Sequence, residues 1–211
     1  MKNFTEKYKP KNLSEINFPD SESEEIVNHW ISSKSSDPLL LLGPPATGKT
    51  SIADIAGAAM YADFYETDQL NLCGTDTINS IVSQIDKHLT TMSLNFGVKK
   101  LVVINEFYEL KDKQSKFRTI IEKELYKKNC HFIFTANAVE KDIDSAVVSR
   151  CIVVKMSRPS PCVIATQLHE IACENEADYI SKQDLENLAS ENHCDYRKTL
   201  QALERSLHNY S

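Results

Sequence analysis

The apolar residues of this chain fall into two rhythms. Short, nearly continuous apolar runs occur at 38–42, 101–104, 130–134 and 152–154. Such runs read as strands buried on both faces. Between them lie stretches with helical spacing. Residues 51–61 are rich in Ala and Ile and predict a helix. From Asp76 onward Ile78, Ile81, Val82, Ile85 and Leu89 recur every three or four positions and predict another. The charged stretch 114–128 carries Phe117, Ile120, Ile121, Glu124 and Leu125 along it and predicts one continuous helix. Residues 62–66 offer a further strand. Strands alternating with helices predict an α/β fold, a parallel sheet flanked by helices on both faces. Ligands of such sheets bind at the carboxyl ends of the strands.

After Met156 the pattern changes. Ser157, Arg158, Pro159, Ser160 and Pro161 read as a linker, and no strand-like run follows. Three helices are predicted at 163–174, 182–190 and 195–207, with Ser181 and Asp195 as N-caps. The expected organisation is a core over 1–158 and a small all-helical domain over 159–211.

Composition narrows the function classes. Hydrophobic residues make up 41% of the 211 positions, enough for a packed core. The formal net charge is −6, so bulk charge cannot hold nucleic acid. Any such contact must come from a local basic patch or a larger assembly. The six cysteines form no CxxC pair, so no zinc site is read. The charged start, residues 1–10, lacks the apolar stretch of a signal peptide, and no run approaches the length of a membrane helix. The expectation is a soluble intracellular protein with reduced thiols and no membrane partner, cytoplasmic, or in the host cytoplasm if the source is viral.

The chemistry begins at Gly43-Pro44-Pro45-Ala46-Thr47-Gly48-Lys49-Thr50. Glycine, four residues, then Gly-Lys-Thr is a full phosphate-binding loop. The glycines let backbone N–H groups curl around phosphate oxygens, Lys49 reaches the outer phosphates, and the Thr50 hydroxyl suits Mg²⁺. The helix opening near Lys49 and Ser51 adds its positive end. ATP and Mg²⁺ are therefore the expected ligands. The strand at 101–104 runs into Asn105 and Glu106. P-loop ATPases usually carry Asp then Glu here, one holding a water of the metal shell and one polarising the attacking water. Asn105 can still hydrogen-bond a metal-bound water but brings no charge.

These motifs, in this order, resemble AAA+ ATPases, and within them the large motor subunit of sliding-clamp loaders, the bacteriophage type above all. The similarity runs from about Tyr8 to Leu203. Glu6-Lys7-Tyr8-Lys9-Pro10, with Leu13-Ser14-Glu15-Ile16 after it, is similar to the family's start and implies that Tyr8 and Ile16 line an adenine pocket. Thr135-Ala136-Asn137 resembles the sensor-1 segment, which implies that Asn137 bonds the attacking water or the γ-phosphate. Ser149-Arg150-Cys151 matches the Ser-Arg-Cys signature and implies that Arg150 is an arginine finger acting on a neighbour's ATP. Cys194-Asp195-Tyr196-Arg197 resembles the start of the sensor-2 helix, with Cys194 in place of glycine, and implies that Arg197 reaches the γ-phosphate of its own subunit.

The implied catalytic set is Lys49, Glu106, Asn137, Arg150 and Arg197, with Thr50 and Asn105 at the metal. The implied partners are other clamp-loader subunits (self or homologous), a sliding clamp, and primer-template DNA held by the assembly. Clamp loaders also carry a collar domain after the lid. This chain stops at Ser211, where the lid should end, so the collar is expected to be absent. Two other functions stay open. Asn105 suits a non-hydrolysing ATP-binding assembly module, and the same core would serve a helicase loader or initiator.

Overall fold

The computed structural model describes residues 3–61, 69–91 and 99–209. Five strands form one sheet in the order β2-β3-β4-β1-β5, where β1 is Leu39–Leu42, β2 Gln69–Cys73, β3 Lys100–Asn105, β4 Cys130–Ala136 and β5 Ile152–Lys155. Every pairing is parallel. The alternation within each strand explains why the sequence runs are apolar throughout. Leu40, Leu42, Val102, Ile104, Phe132 and Phe134 face one cluster; Leu39, Leu41, Leu101, Val103 and Ile133 face the other.

The first helices are α1 (Phe4–Lys7), α2 (Ser21–Ser32) and α3 (Lys49–Met60). On one face α2 supplies Val27 and Trp30, and α3 supplies Ile52, Ala53 and Ala56. The indole N–H of Trp30 donates to the Asp37 carbonyl at 2.8 Å, which satisfies its polar edge. The other face is covered by α4 (Ile78–Thr90), α5 (Ser115–Glu122) and α6 (Glu124–Asn129).

The single helix expected over 114–128 is two helices. Lys123 takes extended backbone angles, φ −62° and ψ 121°, and ends one before the next begins. The break decides which side chains go inside. On a straight helix Leu125 would continue the inward stripe of Phe117 and Ile121, and Tyr126 would point away. Instead Tyr126 is 1% exposed and Leu125 is 48% exposed. The Tyr126 hydroxyl donates to Asp86 Oδ1 at 2.6 Å on α4, and burial of the ring raises its pKa strongly.

The strand expected at 62–66 lies outside the described residues; Gln69–Cys73 follows immediately. The remaining core helix, α7 (Ser145–Val148), leads into β5. Beyond it come α8 (Pro161–Glu174), α9 (Lys182–Glu191) and α10 (Tyr196–Asn209), close to the three helices expected. Ser181 and Asp195 both cap: their side chains accept from the N–H groups of Asp184 and Lys198. These helices share a third cluster built on Ile164, Leu168, Leu185, Leu200 and Leu203. Phe4 of α1 is buried in it, and the Phe4 N–H donates to Glu204 Oε1 at 2.9 Å. The expected core of 1–158 thus lends its first helix to the helical cluster. No helix among the described residues is long and apolar enough to cross a membrane.

Candidate functional site

In the sheet β1 lies between β4 and β5, while the chain leaves it through α3 for the far edge at β2. Connections diverge at β1, so a crevice opens at its carboxyl end. The loop after Leu42 fills that crevice. Its Gly43 N–H donates to the Ala136 carbonyl at 3.2 Å. Gly43 has φ +142°, and a Cβ there would lie 2.2 Å from the Met156 carbonyl oxygen, so only glycine fits. Ala46 (φ 62°) and Gly48 (φ 89°) both adopt left-handed angles. Residues in that conformation beside helical ones turn successive N–H groups into a concave anion cradle. The first turn of α3 has no side-chain cap, so its N–H groups point into the same space.

Lys49 is the buried charge of the loop, only 6% exposed. Its Nζ donates to the Gly43 carbonyl at 2.8 Å, to the Pro44 carbonyl at 2.5 Å, and more weakly to Thr47 Oγ1 at 3.4 Å. The Thr47 hydroxyl ties the loop together by donating to the Pro44 carbonyl at 2.9 Å. Burial without a carboxylate partner pushes the Lys49 pKa down to about 8. A buried lysine satisfied only by uncharged oxygens is short of negative charge, and phosphate oxygens would supply it.

The ends of β3 and β4 stand opposite the loop. Asn105 Oδ1 accepts from the Thr135 hydroxyl at 3.0 Å. Glu106 has φ 54° and ψ 40°, an uncommon backbone for a non-glycine residue. Such strain turns up at functional sites, where the surrounding structure holds it in place. The Cys73 thiol donates to Glu106 Oε2 at 3.4 Å, and the Thr75 hydroxyl donates to Cys73 Sγ at 3.2 Å.

A cavity of about 350 Å³ gathers these groups. Pro45, Ala46, Thr47, Gly48, Lys49, Thr50 and Ser51 line it, together with Asn105, Glu106, Asn137, Arg197 and Tyr8. Ile16 lies in an adjoining cavity of about 630 Å³ that shares Tyr8 and the Ala46–Gly48 turn. Arg150 lines neither cavity.

Several lining residues were not singled out from the sequence. Thr135 and Tyr196 lie within the Thr135-Ala136-Asn137 and Cys194-Asp195-Tyr196-Arg197 motifs and line the smaller cavity. Asn17 and Gln167 bond each other reciprocally, at 2.9 Å and 3.2 Å, across the larger cavity. They stand 150 positions apart, and no local pattern links them.

A family model described as the ATPase family associated with various cellular activities matches residues 39–158, from β1 through β5. The chain belongs to that family. Membership implies ATP binding. Among curated proteins, the Thermofilum pendens replication factor C small subunit is 30% identical over 207 residues, covering 95% of this chain and 61% of that protein. Replication factor C small subunit 2 of Pyrobaculum islandicum is 29% identical over 205 residues, covering 94% and 62%. The chain thus spans about three fifths of the length of these relatives. Among solved structures, the Thermotoga maritima RuvB Holliday junction branch migration motor superposes with a TM-score of 0.72 at 17% identity, over 93% of this chain and 64% of that one. That likeness is one of fold.

Proposed function

We propose that the chain is an ATP-driven subunit of a sliding-clamp loader, which opens a ring clamp and sets it on primer-template DNA. One observation carries the reading: the loop 45–51, the ends of β3 and β4, and the first turn of α10 meet around one cavity. The names of the relatives, replication factor C small subunits, supply the client. The finer resemblance, to the large motor subunit of the bacteriophage loaders, rests on the motifs quoted above.

Each residue then has a task. The N–H groups around Ala46 to Thr50 receive the phosphates, and Lys49 exchanges its carbonyl partners for phosphate oxygens. Ser51 stands in the same first turn. Tyr8 and Ile16 flank the base. Thr50 and Asn105 are the groups that fit Mg²⁺, the first by its hydroxyl and the second through a water. When bound, the ion would draw off charge from the phosphates. Glu106 takes the proton of the attacking water, and Asn137 orients that water. Arg197, held in the first turn of α10 by the Asp195 cap, meets the γ-phosphate from the lid, residues 159–211. Arg150 serves the nucleotide of an adjoining subunit, self or homologous. Contact with DNA falls to the backbone and to the assembly, which suits a chain of net charge −6.

Asn105 favours a second reading, in which ATP binds and sets a shape without turnover. Its amide is already engaged by Thr135 and adds no charge to the metal site.

Mixing the chain with a sliding clamp and primed DNA tests the assembly directly by light scattering behind a sizing column. A larger complex should form with ATP and fail to form with Lys49→Ala. A chain that stays monomeric in every mixture contradicts clamp loading.

A further inference from the structure

Arg150 sits beyond α7, which packs against α5, away from the chain's own cleft. Its guanidinium is nonetheless held. Nε donates to Glu122 Oε1 at 2.6 Å. Nη1 donates to the Ala146 carbonyl at 2.7 Å and to Ser149 Oγ at 3.2 Å. The other Glu122 oxygen faces Arg118 Nε at 3.6 Å, one helical turn back on α5. A guanidinium carries five N–H donors in a rigid planar fork. These bonds use Nε and Nη1. Nη2, with two N–H groups, has no hydrogen-bond partner among the described residues.

Glu122 is exposed, so its ion pairs contribute little to folding stability. What they do is fix direction. Arginine has several rotatable bonds, and an unheld side chain must lose that freedom when it docks on an anion. Glu122 removes that freedom beforehand, and the bonds at Nε and Nη1 leave Nη2 unengaged. Its carboxyl is held below the usual range, first by the Arg150 hydrogen bond and also by the Arg118 charge.

We propose that Glu122 is a positioning residue that grips Arg150 by Nε and leaves Nη2 for a phosphate of nucleotide bound to an adjoining subunit. This rests on the reading of Arg150 as a finger acting in trans. Glu122 touches neither the nucleotide nor the reacting water.

The test is steady-state ATP turnover of the assembled chain, with sliding clamp and primed DNA, for five forms: natural, Glu122→Ala, Glu122→Gln, Arg150→Ala, and Glu122→Ala with Arg150→Ala. ATP affinity of the free chain is measured beside it. Glu122→Ala should lower kcat by roughly ten- to a hundredfold, up to the cost of a catalytic group misplaced by about 1 Å, with KM and free-chain affinity unchanged. Glu122→Gln keeps an oxygen for Nε and should recover most of the rate. The double variant should be no slower than Arg150→Ala alone. If Arg150→Ala turns over normally, the finger falls and this inference with it. If Arg150→Ala is slow while Glu122→Ala is normal, or the two losses multiply, the inference alone is overturned.

Discussion

Replacing Lys49 by Met should change how stability depends on pH. In the natural chain, burial holds the Lys49 pKa at about 8, against about 10.4 for an ordinary lysine. That gap corresponds to roughly 3 kcal/mol against the charged form. Between those two pH values the unfolded chain binds more protons than the folded one. Stability of the natural chain therefore gains up to that amount as pH rises through the window. Lys49→Met has no such group. Its stability relative to the natural chain should fall by roughly 3 kcal/mol between about pH 7 and about pH 10. For a chain of this size that is a relative change of roughly 6–12 °C in Tm. The difference at any one pH also contains the lost bonds to the Gly43 and Pro44 carbonyls, but its change with pH isolates the buried charge. Thermal melts of both proteins across the range, without nucleotide, measure it. A difference that stays constant with pH refutes the claim that Lys49 is held desolvated and short of negative charge. The same logic gives a binding signature. Phosphate restores the charged form, so ATP affinity should weaken above about pH 8, by at most tenfold per pH unit.

Two further outcomes follow from the site and the helical cluster. Glu106→Gln should keep nucleotide affinity, by titration with a fluorescent analogue, while turnover drops by roughly 10²–10⁴. An unchanged rate would remove Glu106 as the base. Phe4→Ala should cost about 3 kcal/mol of stability by urea unfolding, because it empties a place in the α8–α10 cluster. Amide exchange in α10 should rise with it; exchange rising only around the sheet would contradict the packing assigned to α1.

The legible parts of the fold were those whose reasons are local. The runs at β1, β3 and β4 are apolar because both faces are covered, and β5 still shows three apolar residues in a row although it lies at an edge. β2 is hidden because its residues alternate, unlike β5 at the opposite edge, where Ile152, Val153 and Val154 are contiguous. Gln69 and Asn71 alternate with Leu70 and Leu72, and the apolar run never forms. α2 escaped although its signals were present: Asp20 caps it, and Val27 and Trp30 share one face. The split at Lys123 was hidden because the apolar spacing of 114–128 fits a straight helix until Leu125; burying Tyr126 requires the turn. In the site, Gly43 to Thr50 could be read because the loop's backbone demands glycines at fixed places. The contacts that complete it join distant positions. Asn105 with Thr135, Asn17 with Gln167, Phe4 with Glu204 and Glu122 with Arg150 are set by the tertiary arrangement, and no spacing records them.

The most direct test of the central claim is steady-state ATP turnover of the natural chain with clamp and primed DNA. Lys49→Ala serves as the blank, and Asn105→Asp runs beside it. The account predicts turnover above the blank for the natural chain, and more for Asn105→Asp, which keeps an oxygen for Thr135 and adds charge at the metal. Turnover by Asn105→Asp alone would favour the non-hydrolysing module. Turnover by neither would contradict the account.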